Sequence, residues 1–220
     1  LASLGINLYY QSTVGDNPIR LYGALKLAMS RSDIIFTTGG LGPTVDDITL
    51  AIISKACLAR MTFNDAVLKN IKTFFRKKGL KKIPHDAIKQ AYIPEDSTWF
   101  NNTVGTAPGV ALRYAGTIIV ALPGPPREME PIFEKYVIPY LKNQKYTKSE
   151  IIKTRTLKTI GMVESSVNSL VRDLLSLSGE TTVGIYTQLG LVDLKITAKA
   201  PTQKEAERKI KKVEKKIRKR

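Results

Sequence analysis

The chain has 220 residues, 43% of them hydrophobic and 25% charged, which suits one large or two small globular domains with a full core. A single cysteine, Cys57, excludes an internal disulfide and fits a reducing compartment, and no run approaches the roughly 18 apolar residues of a membrane span. The formal charge of +16 is uneven: residues 1–145 carry 18 Lys+Arg against 11 Asp+Glu, and residues 146–220 carry 17 against 8. Such a surplus attracts polyanions or serves solubility. The opening Leu1-Ala2-Ser3-Leu4-Gly5 has neither the basic lead nor the apolar core of a signal peptide, and without a methionine at its head the natural start is expected upstream.

In chain order, Leu4-Gly5 reads as the end of a helix and residues 6–14 as a strand. Pro18 then opens a helix whose inner face is Leu21, Leu25 and Ala28. Residues 34–38 form a short apolar strand, expected to be buried on both faces. Residues 48–58 and 65–78 are amphipathic helices, and a short helix follows Pro84 over 85–91. Residues 109–114 and 117–122 read as a hairpin turning at Ala115-Gly116, and 127–141 as a closing helix. The alternation of strands and helices predicts an α/β domain over 1–145, a mostly parallel sheet sandwiched by helices with one antiparallel hairpin. After a polar linker at 143–149, residues 151–159, 164–177, 182–186, 192–199 and 202–219 read as a β-α-β-β-α unit, a small α+β domain over 150–220.

Three loops at strand ends carry the chemistry. In the first, Thr37-Thr38-Gly39-Gly40-Leu41-Gly42-Pro43-Thr44-Val45-Asp46-Asp47 joins a strand to a helix. It lacks the third glycine of a dinucleotide fingerprint and the Lys-Ser/Thr of a Walker loop. Glycines let the backbone approach phosphates, and the helix start favours anions. Thr44 and Asp47 match a capping box, which leaves Asp46 as the freer carboxylate for a metal ion between protein and phosphate. The second loop, Asn101 to Gly109, is rich in groups that could hold sugar hydroxyls or a base edge, or form an Asx-turn. The third, Leu122-Pro123-Gly124-Pro125-Pro126-Arg127-Glu128-Met129, is another stiff strand-to-helix corner. Lys89 could offset negative charge on a substrate, or face solvent.

Other residues carry blander readings. His85, the single histidine, precludes a His-based triad, and Cys57 reads as core. The lysine-rich end from Lys204 resembles a nucleic-acid tail. But Ala206, Ile210, Val213 and Ile217 form one helical stripe, so those lysines are the wet side of an amphipathic helix. Gly161-Met162-Val163-Glu164 stands where a KH module would have Gly-x-x-Gly. The acid in place of the second glycine argues against RNA binding by that route.

The runs Thr-Gly-Gly-Leu-Gly-Pro-Thr-Val-Asp-Asp-Ile-Thr at 38–49, Lys-Gln-Ala at 89–91, Asn-Thr-Val-Gly-Thr-Ala-Pro-Gly at 102–109 and Leu-Pro-Gly-Pro-Pro-Arg-Glu-Met at 122–129 resemble the CinA (competence/damage-inducible) family. The resemblance covers essentially the whole chain. It implies a molybdopterin-binding-like domain followed by a KH-like domain, and a first strand with a Gly-Thr-Glu loop ahead of residue 1. It further implies a metal-dependent ADP-ribose pyrophosphatase yielding AMP and ribose 5-phosphate, in a cytoplasmic homodimer without membrane contact. No part of the sequence resembles the amidase domain that many members carry.

On that resemblance, Asp46 with Asp47 binds a divalent ion (Mg, Mn or Co) and serves catalysis. Thr38, Gly39, Gly40, Gly42 and Thr44 cradle the diphosphate. Asn102, Gly105 and Thr106 hold ribose or base, Gly124 and Glu128 complete the pocket, and Lys89 offsets charge. Two alternatives remain: a molybdopterin-binding or adenylylating protein of molybdenum-cofactor biosynthesis, and a nucleic-acid-binding module driven by charge.

Overall fold

A computed structural model of the chain describes residues 1, 4, 6–80, 82–144, 151–177, 179–188 and 191–220. Internal contacts divide it into Gln11–Leu141 and a second unit that combines Lys142–Arg220 with Leu1–Tyr10. Most of the predicted linker, 145–149, lies outside the described residues.

The first unit is built on a four-stranded sheet in the order β1-β6-β5-β4, where β1 is Ile34–Thr38, β4 Thr98–Phe100, β5 Gly109–Tyr114 and β6 Thr117–Leu122. β1 runs parallel to β6, while β5 is antiparallel to both β6 and β4. Three of the four strands therefore point one way. The β5–β6 hairpin turns at Ala115 (φ 47°) and Gly116 (φ 89°), the pair of positive φ values that a tight two-residue hairpin demands.

β6 is central and buried along its whole length, and its side chains alternate between two helical layers. Ile119 and Ala121 join Ile35, Val110 and Leu112 in a core shared with helices α1 (Pro18–Met29), α2 (Thr49–Ala56) and α3 (Asp65–Lys77). The opposite face meets helices α4 (Pro126–Ile132) and α5 (Ile138–Asn143), joined by one π-helical stretch at Phe133–Val137. There Phe36 meets Phe133 edge-on, and Phe100 contacts Tyr136 and Tyr140. Asn17 caps α1 and Asn64 caps α3 through their side chains. A 3₁₀ turn at His85–Ala91 leads into β3 (Tyr92–Pro94), which pairs with β2 (Met61–Phe63).

Two expectations need correction. Residues 6–14 form no strand, and Leu8, Tyr9 and Tyr10 are exposed, because no described strand lies beside them to satisfy their backbone. β1 is half-buried, with only Ile35 fully covered, because among the described residues it has β6 on one side alone.

The second unit has the predicted order: β7 (Ile151–Ile160), α6 (Glu164–Leu175), β8 (Thr181–Gln188), β9 (Leu191–Ala200) and α7 (Gln203–Ile217). Its sheet is β7-β9-β8, antiparallel throughout. Val167, Val171 and Leu174 of α6 and Ile210 and Val213 of α7 pack on Val192, Leu194, Ile196 and Ala198 of β9. No helix among the described residues is long and apolar enough to cross a membrane.

Candidate functional site

The first glycine loop leaves the carboxyl end of β1. Gly39 and Gly40 both have positive φ (92° and 67°), a region that side chains disfavour. A Cβ on Gly40 would also collide with the Thr49 hydroxyl. The Gly40 carbonyl accepts from the Thr49 amide at 3.1 Å, which fixes the loop to the first turn of α2. Gly39 also donates its amide to the Leu122 carbonyl at 2.9 Å, and its backbone packs against Gly124. The first and third loops are thus in direct contact.

Thr44 and Asp47 form their own turn. The Thr44 amide and hydroxyl both donate to Asp47 Oδ2, at 2.8 and 2.5 Å. The anticipated helix cap is therefore corrected: α2 begins at Thr49 with Ile48 at its cap, and the Thr44–Asp47 pair closes a separate turn ahead of it. Partial burial pushes the Asp47 carboxyl up, but the Thr44 hydroxyl and amide, the Gly42 backbone and Lys89 outweigh it and hold it below its ordinary value. Asp46, one residue earlier, is exposed and has no partner among the described residues.

Lys89 does not stand free to meet a substrate. Its Nζ donates to the Thr44 carbonyl at 2.7 Å and the Asp47 carbonyl at 3.0 Å. The neighbouring Gln90, only 4% exposed, donates Nε2 to the Leu41 carbonyl at 3.1 Å. Gln90 is the residue that sequence reasoning passed over; its signal was its place beside Lys89 in a short turn. Its Oε1 is buried without a partner among the described residues. Together these two side chains hold three loop carbonyls toward the 85–91 segment. An anion cradle requires this, since carbonyl lone pairs facing a phosphate would repel it.

The second loop is organised by Asn102, which is buried. Its Nδ2 donates to the Ala107 carbonyl (2.8 Å) and to Glu128 Oε2 (2.7 Å), and its Oδ1 accepts from the amides of Val104 (3.0 Å) and Gly105 (2.7 Å). A side-chain amide offers two donors and two acceptor positions. All four are filled within the protein, so Asn102 shapes the loop and has nothing left for ribose or base. A Cβ at Gly105 would collide with the Glu128 carboxylate, so only glycine permits this approach. The bond from Asn102 to Glu128 also ties the second loop to α4, directly after the third.

The predicted residues therefore fall into one connected arrangement. Gly39, Gly40, Gly42, Thr44, Asp46 and Asp47 form one wall, Lys89 buttresses it, Gly124 touches it, and Glu128, Asn102 and Gly105 continue from there. Thr38 ends β1 opposite Leu122 and is exposed. Thr106 is half-buried, with no hydrogen bond to the other site residues. Cys57 is buried, and burial pushes its thiol up despite Lys26 nearby, as suits a core residue.

The donor set bears on the metal. Among the described residues no three His, Cys, Asp or Glu side chains gather to hold an ion. The turn offers the free Asp46 carboxylate and the second oxygen of Asp47. Those hard oxygens fit a cation that keeps most of its water and takes further oxygens from a phosphate, the habit of Mg²⁺ at one or two carboxylates. They do not form a closed protein cage.

Residues 1–143 match the family model described as probable molybdopterin binding domain, and residues 154–220 match the damage-inducible protein CinA KH domain. A solved CinA structure of unknown function from Thermoplasma acidophilum is 30% identical, with a TM-score of 0.50, over 59% of this chain and 72% of that one. The chain belongs to the CinA family. A CinA-like protein of Dictyoglomus thermophilum is 45% identical over 220 residues, covering 100% of this chain and 53% of that protein. A competence-damage inducible protein of Clostridium kluyveri is 46% identical over 219 residues, covering 100% and 53%. The chain thus spans about half the length of the curated relatives it matches. Within the CinA frame, all three loops lie in the part matched to the molybdopterin-binding domain.

Proposed function

We propose that the chain is a metal-dependent hydrolase of a nucleotide diphosphate linkage, with ADP-ribose as substrate and AMP and ribose 5-phosphate as products. The observation that carries this reading is the glycine turn, whose carbonyls are engaged by Lys89 and Gln90 while Asp46 on the same turn keeps a free carboxylate. The glycines and loop amides receive the diphosphate. Glu128, steadied by Asn102, accepts a ribose hydroxyl. Asp46 and the carboxylate of Asp47 hold the divalent ion, which when bound supplies charge neutralisation and a more acidic water. In the overall reaction one water adds across the P–O–P linkage, and each product leaves with one phosphate. The same reading carries with it a cytoplasmic homodimer.

A second reading, molybdopterin binding or adenylylation, is favoured by the description of the family matched by residues 1–143. Hydrogen–deuterium exchange separates the two. Adding ADP-ribose with Mg²⁺ is expected to protect amides in 38–47, 102–106 and 123–128 together. Protection of these loops by molybdopterin and not by ADP-ribose would favour the second reading, and protection confined to other segments would remove both.

A further inference from the structure

Helix α7 carries two opposed faces. At 3.6 residues per turn, Ala206, Ile210, Val213 and Ile217 fall within about 60° of its circumference. Ala206, Ile210 and Val213 are buried and Ile217 packs on the core. Lys204, Arg208, Lys211, Lys212, Lys215 and Lys216 fall within about 140° on the other side, and all six are exposed. The acids that could neutralise them point elsewhere. Glu207 pairs with Lys153 and Glu214 with Arg155, both on β7, and Glu214 also holds Arg218. Lys209, at the edge of the arc, pairs with Glu180. Glu205, in the first turn, is the sole carboxylate on the cationic arc. Lys211 retains a long-range attraction to Glu207, and none of the six has an ion pair among the described residues.

Like charges three and four residues apart destabilise a helix by a few tenths of a kcal/mol per pair. A positive surplus serves solubility wherever it sits; its concentration on one arc over about 22 Å of helix, interrupted by Glu205 alone, also suits a partner of opposite sign. A basic amphipathic helix can also bind a membrane, by inserting its apolar face or by charge alone on an anionic leaflet. Here the apolar face is already packed against β9.

We propose that the outer face of α7 is a docking surface for the sugar–phosphate backbone of nucleic acid, read by charge and not by base sequence. No aromatic side chain lies on this arc to stack a base. Duplex DNA presents one charge per about 1.7 Å of axis, so the helix faces a continuous row of phosphates. None of these six residues belongs to the loop at Gly161, where a KH module would grip a strand, or to the residues assigned to the diphosphate.

The test is fluorescence anisotropy of a labelled 20-base-pair duplex with the 220-residue chain, titrated between 50 and 200 mM salt. With four to six phosphates neutralised, log K should fall against log[salt] with a slope of about −4 to −5. The pair Lys211→Gln/Lys215→Gln keeps helix-forming residues and should make the slope shallower by about 2. Lys211→Glu/Lys215→Glu should weaken binding at 50 mM salt at least tenfold, and Lys69→Glu/Lys77→Glu, with the same charge change on α3, less than threefold. An equal loss from the α3 pair would reduce the effect to bulk charge and overturn the proposal. So would a slope flatter than about −1, or stronger binding to phosphatidylserine vesicles than to DNA.

Discussion

Asp46→Asn is expected to lower metal-dependent release of AMP from ADP-ribose at least about 100-fold, since even outer-shell changes at metal sites cost 10- to 100-fold. Thermal stability should stay within about 0.5 kcal/mol of the parent, because an exposed side chain without a partner contributes little to folding. Asp47→Asn makes the informative contrast. That carboxylate accepts two bonds from Thr44 and is held below its ordinary pKa by them, so its loss loosens the turn itself. A fall in both activity and stability is expected there. Were Asp46→Asn to keep more than half the parent's activity, Asp46 would lose its role as the principal ion ligand.

Lys89→Met is expected to lower kcat about 10- to 100-fold, in line with the cost of a displacement near 1 Å in a reactive arrangement, with a smaller change in KM. The lysine touches loop carbonyls, so its loss leaves the Thr44 and Asp47 carbonyls without their donor and lets the cradle relax. Lys89→Arg, which can still reach two acceptors, should restore part of the rate. A substrate-binding cation would behave differently: KM would rise with kcat nearly unchanged. Steady-state kinetics on the three proteins separate these roles.

Much of the fold was legible because its signals are local. The hairpin at Ala115-Gly116, the Pro18 helix start and the Ala206–Ile217 stripe each rest on residues close in sequence, and each has its predicted place. The segment 6–14 misled because an apolar, β-prone run is a strand only if a neighbour accepts its backbone bonds, and pairing is not written in the run itself. The short β2, β3 and β4 escaped notice for a related reason. Three residues give too little alternation to distinguish a strand from a loop.

The site was legible as a set of loops and much less so as a set of roles. Gly39 and Gly124, far apart in sequence, meet because β1 and β6 are parallel neighbours whose carboxyl ends coincide. The family resemblance implied that Asn102 and Lys89 would face a ligand. Their hydrogen bonds instead run to Ala107, Glu128, Thr44 and Asp47, and only three-dimensional packing reveals that their capacity is largely spent. Gln90 was hidden for the same reason, since its partner Leu41 lies 49 residues away.

The most direct measurement is product formation by the intact protein: ADP-ribose with Mg²⁺, Mn²⁺ or Co²⁺, followed by chromatography of the nucleotide. The expected result is AMP and ribose 5-phosphate in equal amounts, with turnover lost on chelation and restored by the ion. No AMP with any of the three ions, from protein that is folded and metal-replete, would contradict the assignment of the glycine turn and Asp46 as a diphosphate hydrolase site.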